Sequence, residues 1–154
     1  MDSSDEFPAE FSGAVGRLQV AVLEVCRPED EWPAKVAKSV AATVDFAVSE
    51  PAEIRLLTIE ALIQRPDGGR RYVRMVEHFA DLLRSVTPED RRRPASTEMA
   101  LVGGLATTIA HHLRSDTLAE LLRTVPDLVE FTLLPYLGHE EARRWAEWTA
   151  TSRS

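Results

Sequence analysis

Apolar side chains recur at steps of three and four residues along almost the whole chain, a spacing typical of amphipathic helices. Prolines and glycines divide the pattern into seven segments: 6–26, 31–50, 51–64, 70–86, 98–113, 116–138 and 139–148. Pro33 and Pro51 stand near first helical positions, where a helix tolerates proline, and Gly138 ends the sixth segment. No alternating run bounded by hairpin turns competes with this pattern. The sequence therefore predicts an all-α bundle of about six or seven helices.

Length and composition bound the possible functions. With 154 residues, 44% hydrophobic and 28% charged, the chain suits one domain, which we place at 7–150 between tails at 1–6 and 151–154. A formal net charge of -7 argues against nucleic-acid binding by the whole chain, since that role normally needs a basic face. The acidic start lacks the apolar core of a signal peptide, and no run approaches the roughly 18 apolar residues of a membrane span. We therefore expect a soluble cytoplasmic protein without membrane contact.

The fifth segment, EMALVGGLATTIAHHL at 98–113, places two adjacent glycines, Gly103 and Gly104, at the centre of a helix. Each interior glycine costs about 1 kcal/mol relative to alanine, so another interaction must compensate. Residues 99–110 contain no charge and cover two faces, one of them made of small side chains. A helix that is apolar all round is buried on both sides. Either this helix lies at the centre of the bundle or its small-residue face meets another molecule, and in so short a chain we favour a partner.

Three stretches carry a resemblance through their order and spacing. They are EWPAKVAKSVAATVDFAVSEPAEIRLLTIEAL at 31–62, the glycine-pair helix at 98–113 and LLRTVPDLVEFTLLPYLG at 121–138. Together they resemble the C-terminal domain of TetR/AcrR-type transcriptional regulators of bacteria. The resemblance implies an all-helical domain that binds a small molecule in an internal pocket. It also implies a homodimer formed through the last two long helices, here 97–114 and 117–137, as an intersubunit four-helix bundle.

The resemblance and the small-residue face together predict the residues of a dimer interface. These are Ala100, Gly103, Gly104, Thr107, Ala110, His111, Leu128 and Thr132. Glycine and alanine would let helices of two subunits approach closely, and the packing gained would offset the cost in helix propensity. The expected partner is therefore a second copy of this chain.

The chain departs from the family at its start. The family's N-terminal helix-turn-helix module is absent, and SSDEF at 3–7 resembles the turn that leads into the linker helix, with Ser4 where lysine is common. We therefore expect Met1 to be an added or internal start and the chain to be the sensor half of a longer regulator. DNA contact would then need the missing module. The alternative is a stand-alone interaction or ligand-sequestering protein without DNA-binding function.

The pocket implied by the resemblance should lie among the second to sixth helices, enclosed by apolar and aromatic side chains with few polar anchors. The candidate lining residues are Phe46, Leu57, Glu60, Tyr72, Met75, His78, Phe79 and Phe131. Glu60 or His78 would supply the polar contact to a small apolar or amphipathic ligand. The competing interpretation places the apolar side chains in the ordinary core. It makes Glu60 an exposed carboxylate or one that is paired within the chain.

Enzymatic interpretations find little support in the sequence. His111 and His112 are adjacent, so they point about 100° apart around a helix and cannot easily bind one metal ion. Cys26 is the only cysteine, which excludes a cysteine-based zinc site, and we expect it to be a small buried residue. We therefore predict no catalytic residue, no metal and no cofactor. A third hypothesis, a monomeric bundle enzyme, would bury the glycine helix within one chain.

Overall fold

The computed structural model describes residues 3–153, and the side chains from Glu6 to Arg153. Within that range the chain forms seven helices and no strand, which confirms the predicted all-α bundle. The helices are α1 (Ser3–Glu24), α2 (Trp32–Ser49), α3 (Pro51–Arg55, Leu56–Glu60 and Ala61–Ile63), α4 (Gly68–Val86), α5 (Ala95–Arg114), α6 (Leu118–Leu121, Leu122–Thr124 and Val125–Leu137) and α7 (His139–Arg153). The middle part of α3 is a π-helical turn, and that of α6 is a 3-10 turn.

Prolines and one glycine set several of the helix boundaries. Pro33 and Pro51 lie in the first turns of α2 and α3, where the N–H that proline lacks has no helical acceptor. Pro126 lies in the first turn after the 3-10 part of α6, so the helix restarts there, as a proline inside this segment predicts. Gly138, with a φ of 82°, separates α6 from α7 in a conformation that L side chains rarely adopt.

The first and last helices extend into the segments that we expected to be tails. α1 begins at Ser3, which places Pro8 inside the helix rather than in its first turn. α7 continues to Arg153, whose guanidinium donates to both carboxylate oxygens of Asp45 on α2, at 3.0 and 2.6 Å. This contact joins residues 108 positions apart and therefore has no local sequence signal. Of the expected tails, residues 1, 2 and 154 lie outside the described part of the chain.

α2 is the central helix of the bundle and packs against α1, α3, α4, α6 and α7. Its buried residues are Pro33, Ala34, Val36, Ala37, Val40, Ala41, Ala42, Val44, Phe46 and Ala47. Half of them are alanines, whose small side chains let neighbouring helices approach closely. The most enclosed helix is therefore α2 rather than the glycine-containing α5.

α5 and α6 complete the bundle on one side of α2. α5 packs against α4 and α6, and Leu101, Ile109 and Leu113 lie on its buried side. α7 packs along α6 and contacts α2. No helix within residues 3–153 combines the length and the apolarity that crossing a bilayer requires.

Candidate ligand-binding cavity and self-association face

A cavity of about 420 Å³, here called the central cavity, lies between α1, α2, α3, α4 and α5, with one contribution from α6. Most of its wall is aliphatic or aromatic and includes Leu18, Val40, Ile54, Leu57, Met75 and Phe79. The volume falls in the range of roughly 300–1,000 Å³ that is usual for small-molecule sites. The cavity therefore suits a ligand with a largely apolar body.

The threonine hydroxyl groups on the wall are hydrogen-bonded within their own helices. Thr43, Thr58 and Thr132 each donate the hydroxyl proton to the carbonyl oxygen four residues earlier, at 2.8, 2.7 and 2.7 Å. Cys26 Sγ lies 3.5 Å from Ser39 Oγ and close to two backbone carbonyl oxygens. The three threonines consequently offer acceptor lone pairs, but no free proton, to a ligand.

Charge is distributed unevenly on the wall. Arg27 and Lys35 lie on it, whereas no described aspartate or glutamate does. Both basic residues belong to the α1–α2 loop and the first turn of α2, so they share one end of the cavity. Asp30, in the same loop, accepts hydrogen bonds from Lys38 Nζ at 2.8 Å and the Arg27 backbone N–H at 2.9 Å. The hydrogen bond from Lys38, followed by that from Arg27, holds the pKa of Asp30 below its ordinary value.

Three of the predicted ligand-contacting residues, Leu57, Met75 and Phe79, lie together on the wall of the central cavity. They come from α3 and α4, which face each other across it. Phe46 is buried in the core away from the wall, and Tyr72 is half-buried against the core.

The two predicted polar contacts and the last aromatic residue also lie away from the cavity. Glu60 is exposed at the end of the π-helical turn of α3. His78 Nε2 lies 2.6 Å from Gln19 Oε1, so this ring joins α4 to α1. Phe131 is 42% exposed on the opposite side of α5. Periodicity identifies the side of a helix that packs inward, but it does not tell which part of that side borders a void.

The polar residues that α2 contributes to the wall were not among those predicted from the sequence. Lys35, Ser39 and Thr43 are spaced four residues apart, so they follow one side of α2 beside Val36 and Val40. A polar row of this kind, in a helix otherwise rich in alanine and valine, is the signal that could have identified them.

A second feature is the surface formed by Ala100, Gly103, Gly104, Thr107, Phe131 and Leu134, here called the α5–α6 face. Phe131 and Leu134 are each 42% exposed although they are apolar. A Cβ added to Gly104 would lie 3.0 Å from Cζ of Phe131, whereas one added to Gly103 would meet nothing within 4 Å. Gly104 therefore makes room for a ring of its own chain, and Gly103 borders open space.

The remaining predicted interface residues divide between surface and interior. His111 is exposed, whereas Ala110 is buried. Leu128 belongs to the hydrophobic core, and Thr132 lies on the wall of the central cavity. The predicted α6 residues thus face inward, whereas Phe131 and Leu134 are the exposed apolar residues of α6 on the α5–α6 face. Because α6 is apolar on both sides, its sequence does not show which side is covered.

A buried polar cluster joins α4, α5 and α6. Glu98 is only 2% exposed, and Arg84 Nη1 donates to its Oε1 at 2.9 Å. Glu98 Oε2 and the Tyr136 hydroxyl are buried without a hydrogen-bond partner among the described residues. Burial, and after it the charge of Glu98, raises the pKa of Tyr136 to about 12. Sequence analysis did not single out this cluster because its members lie on three different helices.

The raised pKa of Tyr136 predicts a loss of stability at alkaline pH. Tyrosines of the unfolded chain ionise near pH 10, so between about pH 10 and 12 the native state binds more protons and the free energy of unfolding falls. The ultraviolet absorbance of the phenolate, followed against pH, measures the ionisation directly. Tyr136→Phe should remove the step near pH 12 and leave Tyr72 as the only titrating phenol. A step near pH 10 for Tyr136 would contradict this environment.

The histidines do not form a metal site in the described part of the chain. No group of three or more His, Cys, Asp and Glu side chains is placed there to hold a metal ion. His112 Nδ1 lies 2.8 Å from Thr117 Oγ1, and the exposed ring of His111 packs edge-on against His112. The two histidines therefore make local contacts at the C-terminal end of α5, with each other and with Thr117.

Comparison with known proteins adds no relative. The chain matches no protein-family model, no curated protein sequence and no solved structure.

Proposed function

We propose that this chain is a small-molecule-sensing and homodimerising domain of the kind that TetR/AcrR-type regulators carry at their C-terminal end. The observation that carries the proposal is the position of α5, which contributes both to the central cavity and to the α5–α6 face. In this proposal the chain acts in the bacterial cytoplasm, binds a largely apolar ligand and catalyses no reaction. DNA contact would come from a helix-turn-helix module joined to it.

α5 links the two features because its opposite sides contribute to each. Val102 and Ile109 lie on the wall of the central cavity, whereas Gly103 and Thr107 lie on the α5–α6 face. A ligand that binds one arrangement of α5 more tightly than another shifts the equilibrium between them by that difference in affinity. By linkage, the same difference couples ligand binding to self-association.

Self-association through the α5–α6 face predicts a molar mass near twice 17.2 kDa by light scattering over a wide concentration range. Gly103→Glu should weaken association at least tenfold, because it brings two like charges to a two-fold interface. The variant should keep its fold, since a Cβ at this position meets nothing within 4 Å and glutamate is a better helix former than glycine.

Gly16→Glu is the matched control, because Gly16 lies inside α1 and a Cβ there also meets nothing within 4 Å. This variant changes charge and helix propensity equally and should keep the mass of the parent protein. A monomeric parent at every concentration would contradict the proposed interface. Equal loss of association in both variants would also contradict it.

A further inference from the structure

The basic end of the central cavity indicates the chemical class of its ligand. The chain carries 25 acidic and 18 basic residues, yet the charged residues on the described wall are Arg27 and Lys35. Two cations at one end of an apolar cavity repel a cationic ligand and contribute little to a neutral one. They attract an anion, and the attraction is less screened by water at the half-buried Lys35 than at the exposed Arg27.

Among the described side chains, neither of these two basic residues forms an ion pair with a carboxylate. Among the described side chains, Lys38 forms an ion pair with Asp30, while Arg27 and Lys35 have no carboxylate oxygen within 4.0 Å. The Asp30 carboxylate, the acid in the same loop, is already bound by Lys38 and by a backbone N–H. A ligand anion would therefore meet Lys35 without an ion-pair partner among these side chains, and Arg27 in competition with the charge of Asp30 beyond 4.0 Å.

The rest of the wall indicates an apolar ligand body. Thr43, Thr58 and Thr132 already donate their hydroxyl protons to helix carbonyls. A polar ligand group placed beside them would lose hydrogen bonds to water and find few donors in exchange. The ligand's polar atoms therefore belong at the basic end, and its apolar atoms belong among the aliphatic side chains.

We propose that the ligand is an amphipathic carboxylate whose apolar body fills the central cavity and whose carboxylate binds Lys35 and Arg27. This inference depends on the ligand-binding function proposed above for the cavity. A volume of about 420 Å³ lies in the lower part of the roughly 300–1,000 Å³ that is usual for small-molecule sites. The cavity therefore suits a small ligand with one apolar body and one carboxylate.

Decanoate, decanol and decylamine test the inference, because they share one apolar chain and differ in the charge of the head group. Isothermal calorimetry gives each affinity, and protection of Cys26, the only cysteine and a wall residue, from a thiol reagent locates the bound probe. We expect decanoate to bind about tenfold more tightly than decanol, the size of a charge-assisted hydrogen bond, and decylamine to bind most weakly. High salt should reduce the advantage of decanoate.

Two substitutions of Lys35 test whether the basic end of the cavity causes the tighter binding of decanoate. Lys35→Met should abolish the advantage of decanoate over decanol, and Lys35→Arg should restore it. Arg144→Met, on α7 and away from the cavity, removes the same charge and should change neither affinity. Equal binding of decanoate and decanol to the parent protein would overturn the carboxylate inference but leave the cavity as a ligand site. No binding and no protection of Cys26 by any probe would overturn both proposals.

Discussion

Gly68→Ala is expected to lower the free energy of unfolding by about 3 kcal/mol, the upper end of the usual cost of overpacking. The added methyl group would lie 2.1 Å from the backbone carbonyl oxygen of Ala61 and 2.9 Å from Cβ of Gln64. Neither atom is the free end of a flexible side chain, so α4 would have to move away from the end of α3. Unfolding in urea, followed by circular dichroism, measures the change in stability.

Gly69→Ala is the matched control for this prediction. A Cβ at Gly69 meets nothing within 4 Å, and alanine is the better helix former, so this variant should be as stable as the parent or up to about 1 kcal/mol more stable. Equal destabilisation in the two variants would show that close approach at Gly68 does not hold α3 against α4. The structure begins α4 at Gly68, two residues before the predicted segment 70–86.

Arg84→Met is expected to cost about 3 kcal/mol, because it leaves the Glu98 carboxylate buried without its cation. The expected cost lies at the lower end of the range for broken buried ion pairs, because the Arg84 side chain is 38% exposed whereas that of Glu98 is only 2% exposed. Arg84 also donates to the Arg93 backbone carbonyl at 3.1 Å, so its loss loosens the link before α5 as well. The midpoint of urea unfolding at neutral pH measures the effect.

A second substitution separates the two contributions to this loss of stability, the unpaired charge of Glu98 and the packing around Arg84. In the Arg84→Met background, Glu98→Gln removes the unpaired buried charge and should recover about half of the lost stability, since a neutral amide costs less to bury than a carboxylate. Arg143→Met, on the exposed side of α7, should change stability by less than about 0.5 kcal/mol. If the double variant is no more stable than Arg84→Met, the loss comes from packing around Arg84 rather than from the charge of Glu98.

Part of the candidate site follows from the sequence. Leu57, Met75 and Phe79 lie on the wall because α3 and α4 turn their apolar sides inward, and periodicity shows those sides. Phe46 and Tyr72 carry the same signal and lie elsewhere, because the borders of a void depend on how several helices pack together. Arg27 and Lys35 carry no apolar signal, and only the arrangement of α1 and α2 places them on the wall.

Within α5, the glycine pair also separates what the sequence predicts from what helix packing decides. The sequence of α5 predicts that this helix uses a surface of small residues, because another interaction must compensate the helix-propensity cost of two interior glycines. The structure assigns Gly104 to the ring of Phe131 in the same chain and leaves Gly103 open on the α5–α6 face. Two neighbouring residues with the same local cost therefore meet different surroundings.

The sequence by itself determined that the chain is helical and where most of its helices begin and end. Apolar periodicity, prolines in first turns and Gly138 act through local backbone geometry, which a sequence expresses directly. The tertiary structure alone decided which helix lies at the centre, where the cavity lies and that Glu98 is buried beside Arg84. These outcomes depend on contacts between residues that are distant in the chain, so no local pattern encodes them.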